Sequence, residues 1–290
     1  MARSGGWINA SPNDRAQRVG QGASGCPALC WGVQMATEYL YGRWPVLESL
    51  RAGRRTFQQL LVAEGIEEKG VVEAVLALAQ ERGVNVRRVP RRVVDDLANN
   101  ANHQGVTIRV GGYPYVDLET ILRTATERNE LPFVLVLDLL KDPQNVGALL
   151  RVADSVGVHG VILQERRGVD VTPAVVSASS GAVEHLNVAV VTNLVSAMRR
   201  LKEEGVWLVG LDIGPEAVTP DEIDLKRPLA LVMGSEGEGL RRLVRETCDL
   251  RLTLPMRGHV QSLNVATAGA IALYTAWQAR GWQGWQRPKL

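Results

Sequence analysis

The chain has 290 residues, 46% hydrophobic and 22% charged, which is enough for two domains that each bury a core. No apolar run approaches the ~20 residues of a membrane span, and a formal charge of +2 excludes a generally cationic surface. Of the 33 basic residues 28 are arginine, the better fork for phosphate, although a GC-rich coding bias gives the same count. Residues 1–34 are rich in Gly, Ser, Asn, Gln and Arg and read as a disordered tail, with Met35 as a natural start. Cys26, Cys30 and Cys248 are too few for a disulfide framework. The Cys26/Cys30 pair lacks the second pair that a zinc site needs, so no metal and a reduced, cytoplasmic protein are expected.

Periodicity sharpens after Met35. "VLESLRAG" (46–53) has a helical period closed by Gly53, and "FQQLLVAE" (57–64) reads as a strand. Apolar residues at 71, 72, 75, 76 and 79 mark a helix that stops at Gly83, and "VNVRRVP" and "GVTIRV" are short strands. Residues 35–110 thus form a small α/β domain, and "GGYPYVDLET" opens a hinge-like linker over 111–131. From 132 to 280 a second α/β domain follows, before a tail at 281–290. Its strands are "FVLVLDLL", "GVILQE", "LNVAVV", "VWLVGLDI", "LALVMG" and "LRLTLP"; its helices span 145–156, 173–181, 193–204, 238–245 and 264–279. Continuous apolar strands between helices predict a parallel sheet buried on both faces.

Open parallel sheets bind ligands at the carboxyl ends of their strands, and three such ends are unusual. "LLKDPQNVGALLRVADSVG" (139–157) sets Asn145 and Arg151 around the bare backbone of Gly147. "VMGSEGEGL" (232–240) interleaves glycines with Ser235, Glu236 and Glu238. It has neither GxGxxG spacing nor GK[ST], and its glutamates suit a cation, an amine or a ribose hydroxyl rather than a pyrophosphate. "LPMRGHVQSLNVATAGAIALY" (254–274) begins a helix of small residues, capped by Ser262 or Asn264, that demands close backbone approach.

The order N-x-G-x-x-x-R, M-G-S-E-G-x-G-L, L-P-M-x-G-x-V-x-S-L-N-V resembles the three motifs of the SpoU (TrmH) family of RNA ribose 2′-O-methyltransferases. The likeness includes "SSGAVEHLNVAVVTNL", and "YGRWPVLESL" and "HQGV" resemble the substrate-binding domain of the RlmB branch, which methylates a guanosine of 23S rRNA. Arg257, His259 and Gln261 fill variable positions of the third motif. The resemblance implies a trefoil-knotted SPOUT catalytic domain, a homodimer through that domain, and S-adenosylmethionine held by backbone at positions matching Leu211, Gly234, Leu254 and Leu263. It implies catalytic roles for Asn145, Arg151, Glu236, Ser262 and Asn264, with no metal.

An arginine is a poor unaided base. Arg151 is therefore expected to anchor a phosphate and the forming oxyanion, while that phosphate or Glu236 takes the proton. Gly147, one turn earlier, is expected to leave room for a nucleotide. "RAGRR" (51–55) and "RRVPRR" (87–92) are expected to track an RNA backbone, with His103 stacking or hydrogen-bonding beside them. A tRNA or other rRNA methyltransferase and a non-catalytic RNA-binding assembly factor remain as alternatives.

Overall fold

The computed structural model describes residues 37–286, apart from Arg167 and Gln261. The expectations for 1–34, Met35, Cys26, Cys30, Gln261 and 287–290 lie outside the described residues.

Two sheets form. The smaller contains β1 (Glu38–Tyr41), β2 (Phe57–Ala63), β3 (Asn85–Val89) and β4 (Val106–Val110) in the order β1-β4-β2-β3. β4 runs antiparallel to both neighbours, whereas β2 and β3 are parallel. Helices α1 (Arg43–Ala52) and α2 (Val71–Glu81) pack on one face and α3 (Arg91–Leu97) on the other.

The larger sheet contains β5 (Phe133–Leu137), β6 (Gly160–Gln164), β7 (Val188–Val191), β8 (Trp207–Leu211), β9 (Leu229–Met233) and β10 (Leu250–Leu252). Their order is β10-β8-β9-β5-β6-β7, and every pairing is parallel. The helices are α4 (Leu118–Glu127), α5 (Pro143–Ser155), α6 (Pro173–Ala178), α7 (Leu194–Glu203), α8 (Arg242–Thr247) and α9 (Val265–Ala279). Strand β5 shows why an unbroken apolar run was needed. Phe133, Leu135 and Leu137 join a core with α5, α6 and α9, while Val134 and Val136 join a second core with α4, α7 and α8. Each such buried side chain contributes roughly 2 kcal/mol. The first core continues into Leu40, Val46 and Leu50, so the two sheets share one apolar interior.

Residues 111–131 are not a free hinge. Tyr113 is buried and donates to the carbonyls of Val183 and Leu186, at 2.9 and 2.6 Å, and Val116 pairs in parallel with Ala189 at the sheet edge. Asp117 then caps α4, accepting from the Thr120 N–H at 2.8 Å. The described residues after α9 fold back on it: the Trp277 indole donates to the Gln283 carbonyl at 2.9 Å, and Trp282 stands edge-on to Trp277. The helix expected at 238–245 starts at Arg242, because Ser235 and Gly239 pair their backbones to close a tight loop first. Among the described residues no helix is long and apolar enough to cross a membrane.

Candidate active site

Strands β8, β9 and β10 end at a common edge, and the segment entering α9 closes over it. The result is a cleft of about 380 Å³ lined by all four candidate cofactor residues, Leu211, Gly234, Leu254 and Leu263, together with Glu236, Ser262 and Asn264. Asp212, Ile213, Met233 and Met256 complete the wall and were not singled out from sequence. The floor is aliphatic and thioether, with carboxylates at the rim. Gly234 serves the loop itself: a Cβ there would lie 2.1–2.3 Å from the backbone of Gly239 and Leu240. The expected collision of a Gly234 side chain with cofactor is thus preceded by a collision with the returning chain.

Asn264 caps α9, its Oδ1 accepting from the Ala266 and Thr267 N–H groups at 2.9 and 3.4 Å. That fixes the amide orientation, since only its Nδ2 is left to donate, and it does so to Asn145 Oδ1 at 3.0 Å. Asn145 must then donate its own Nδ2, and the acceptor is Glu236 Oε1. The three candidates form a directed chain, Asn264 to Asn145 to Glu236, that ends on a carboxylate acting only as acceptor. Asp142 caps α5 below it, accepting from the Gln144 and Asn145 N–H groups at 3.1 and 3.3 Å. A fully buried carboxylate missed from sequence, Asp138, anchors the far end of the glycine loop. It accepts from the Arg241 backbone N–H at 2.9 Å and Nε at 2.6 Å.

Arg151 is the candidate the fold keeps apart. Six residues beyond Asn145 it sits roughly 240° around α5 and ~9 Å along its axis, exposed, and it does not line the cleft. Its Nη1 donates to Ser180 Oγ at 3.1 Å. Gly147 does not open space for a nucleotide. It is buried, and a Cβ would lie 2.4 Å from Ala178 Cβ and 2.8 Å from the Ser179 nitrogen. The missing side chain lets the end of α6 press against α5.

The first arginine run is likewise not an RNA track. Arg54 donates to the carbonyls of Leu186 and Pro114, and Arg55 is buried against Glu184 and Glu38. Arg51 pairs with Glu48. His103 is buried as well. Its Nδ1 accepts from the Gly105 N–H at 3.0 Å, so Nε2 carries the proton toward Asp95 Oδ1 at 2.7 Å. In the second run Arg88 pairs with Glu68, while Arg87, Arg91 and Arg92 are exposed and, among the described residues, have no carboxylate partner.

A parallel sheet whose ligand cleft is built from three glycine-rich or small-residue strand ends, beside a smaller sheet, has known counterparts. Residues 132–274 match the SpoU rRNA Methylase family, and residues 39–116 match the RNA 2′-O ribose methyltransferase substrate-binding family. The chain belongs to the SpoU (TrmH) family of RNA methyltransferases. It is 41% identical over 243 residues to YacO of Bacillus subtilis, assigned to the TrmH family of tRNA/rRNA methyltransferases, covering 84% of this chain and 96% of YacO. The fold matches an AdoMet-bound rRNA methyltransferase from Sinorhizobium meliloti with TM-score 0.66 and 26% identity, over 83% of this chain and 87% of that one. It also matches an RNA 2′-O ribose methyltransferase with TM-score 0.69 and 26% identity, over 85% and 90% of the two chains.

Proposed function

We propose that the protein is a cytoplasmic, homodimeric S-adenosylmethionine-dependent methyltransferase acting on a ribose 2′-OH, that of a guanosine in 23S rRNA. The observation that carries this is the convergence of Leu211, Gly234, Leu254 and Leu263 on one cleft whose rim holds the Asn264–Asn145–Glu236 chain. The cleft fits the cofactor: its volume lies in the range of small-molecule sites, its floor is apolar enough for a nucleoside, and Glu236 would offer a carboxylate to a cationic group. When bound, the cofactor supplies an electrophilic methyl group that needs only an in-line oxygen.

The protein's part is orientation and charge. Asn145 and Ser262 hold the acceptor ribose; Arg151 lies outside the cleft of its own chain, so it meets the adjacent phosphate and the forming alkoxide only where bound RNA spans from the cleft to the Ser180 turn. That phosphate or Glu236 receives the hydroxyl proton. RNA is bound on the smaller sheet by Arg87, Arg91 and Arg92 and by a neighbouring cleft of about 490 Å³ between Arg43, Trp44, Arg91 and Gln104. Trp44 is half exposed there, available to stack on an unpaired base, and Gln104 fixes Arg43 through two contacts of 3.2 Å. Dimer contact through α9 is supported by exposed Ile271 and Tyr274.

Three measurements test the reading. Ribose methylation is mapped on total RNA from a deletion strain: one unmethylated 23S guanosine, restored by the purified enzyme, is expected. A lost tRNA or other rRNA mark would reassign the substrate, and absence of S-adenosylmethionine binding by calorimetry would favour an assembly factor. For the chemistry, Arg151→Ala should lower kcat at least about a hundredfold, the worth of a preorganised oxyanion donor. Cofactor affinity should hardly change.

A further inference from the structure

Arg151 is held without a carboxylate, as Arg43, Arg54 and Arg109 also are. Arg51, Arg88, Arg200, Arg241 and Arg245 each pair with a carboxylate, whereas the partner of Arg151 is a neutral hydroxyl. A carboxylate would fix the guanidinium more firmly but would cancel the charge a phosphate or alkoxide needs. A hydroxyl fixes direction and leaves the charge free.

Ser180 is built for this. It follows α6 with φ 54, a left-handed conformation in the position where helices end on glycine, so its backbone is strained to present Oγ. The turn that carries it is fixed from two sides. Gly147 lets Ala178 and Ser179 touch α5. From the smaller sheet, α1 presses on Gly181, where a Cβ would lie 2.7 Å from Glu48 Cβ and 3.0 Å from Pro45 Cα. Three residues on, buried Glu184 accepts from Arg55 Nε and Nη2 and from Ser49 Oγ.

We infer that Ser180 is a positioning residue for Arg151, set in place by a turn braced against the smaller sheet. The inference rests on the reading of Arg151 proposed above. Ser180→Gly isolates the hydroxyl, because glycine meets φ 54 without strain and the fold is kept. With RNA from the deletion strain as substrate, kcat of Ser180→Gly should fall about tenfold, the worth of one hydrogen bond to a charged group. Calorimetric S-adenosylmethionine affinity should stay within about twofold of the parent's, because Arg151 does not line the cleft, and KM for RNA should rise by no more than the weakening of one phosphate contact among several. Ser180→Asn, which tolerates the left-handed region and offers an accepting oxygen, should recover most of the loss. In an Arg151→Ala background, Ser180→Gly should cost nothing further. Parent-like kcat in Ser180→Gly, or the same tenfold loss with Arg151 absent, overturns the inference. Full turnover by Arg151→Ala alone would instead overturn the reading of Arg151 beneath it.

Discussion

Replacing Glu184 by alanine removes the carboxylate around which the two sheets meet. Both side chains of its pair with Arg55 are 0% exposed, and the guanidinium reaches it through Nε at 3.0 and 3.1 Å and Nη2 at 2.8 Å. Truncation leaves Arg55 with Glu38 at 3.0 Å and the Gly111 carbonyl at 3.2 Å, so its charge is only partly compensated. Removing one partner of a buried pair costs about 3–5 kcal/mol; the surviving Glu38 contact points to the lower half. At a few degrees per kcal/mol for a unit of this size, the melting temperature should drop by about 10 °C. Differential scanning calorimetry of the full chain reads it. Glu68→Ala is the control, because Arg88 grips Glu68 through two 2.9 Å bonds in the same fork but at the exposed surface. Screening there should leave the melting temperature almost unmoved. Equal, small shifts for both variants would refute the argument that burial makes the Arg55–Glu184 contact structural.

Gly234→Val should abolish S-adenosylmethionine binding by calorimetry and expose the glycine loop to limited proteolysis, since its side chain meets the backbone at 239–240. Replacing Arg87, Arg91 and Arg92 together by alanine should flatten the slope of log affinity against log salt by about 2, at ~0.7 per phosphate of single-stranded RNA, in filter-binding titrations. His159 is buried, and its Nδ1 accepts from the Phe133 N–H at 3.0 Å, a lone pair that protonation would remove. Burial therefore holds its pKa below the ordinary 6.5, outweighing the pull of Glu130. As pH falls below 6.5 the unfolded chain gains the proton first, so stability drops through that window. His159→Gln should melt with a shallower dependence between pH 7.5 and 5.5.

Most of the larger sheet was legible, because an unbroken apolar strand between helices is one buried on both faces: β5, β6, β8 and β9 begin within a residue of expectation. Helix α4 was passed over behind Gly111, Gly112 and Pro114, although Asp117 and the spacing of Leu118, Ile121 and Ala125 carry its signature. Four-residue β1 and α3, with Val94 its single buried residue, are too short to show a period. The convergence of Leu211, Gly234, Leu254 and Leu263 on one cleft could be read because tight turns need glycine whatever binds. Arginine runs could not be read. Whether Arg54 and Arg55 face RNA or a buried acid depends on Glu184, 129 residues from Arg55. Gly147 was read as room for a nucleotide, because sequence spacing does not show that Ala178 fills the space.

The shared interior of the two sheets has a further consequence. With Leu40, Val46 and Leu50 packed into the same cluster as Leu149 and Leu231, the smaller sheet has no swivel of its own. On the function proposed above, an RNA gripped at the Trp44 cleft and presented to the methyl donor would be measured by a fixed calliper. Such an instrument is blind to many base changes between its jaws but not to an inserted or deleted nucleotide, which moves the target off the gauge length altogether.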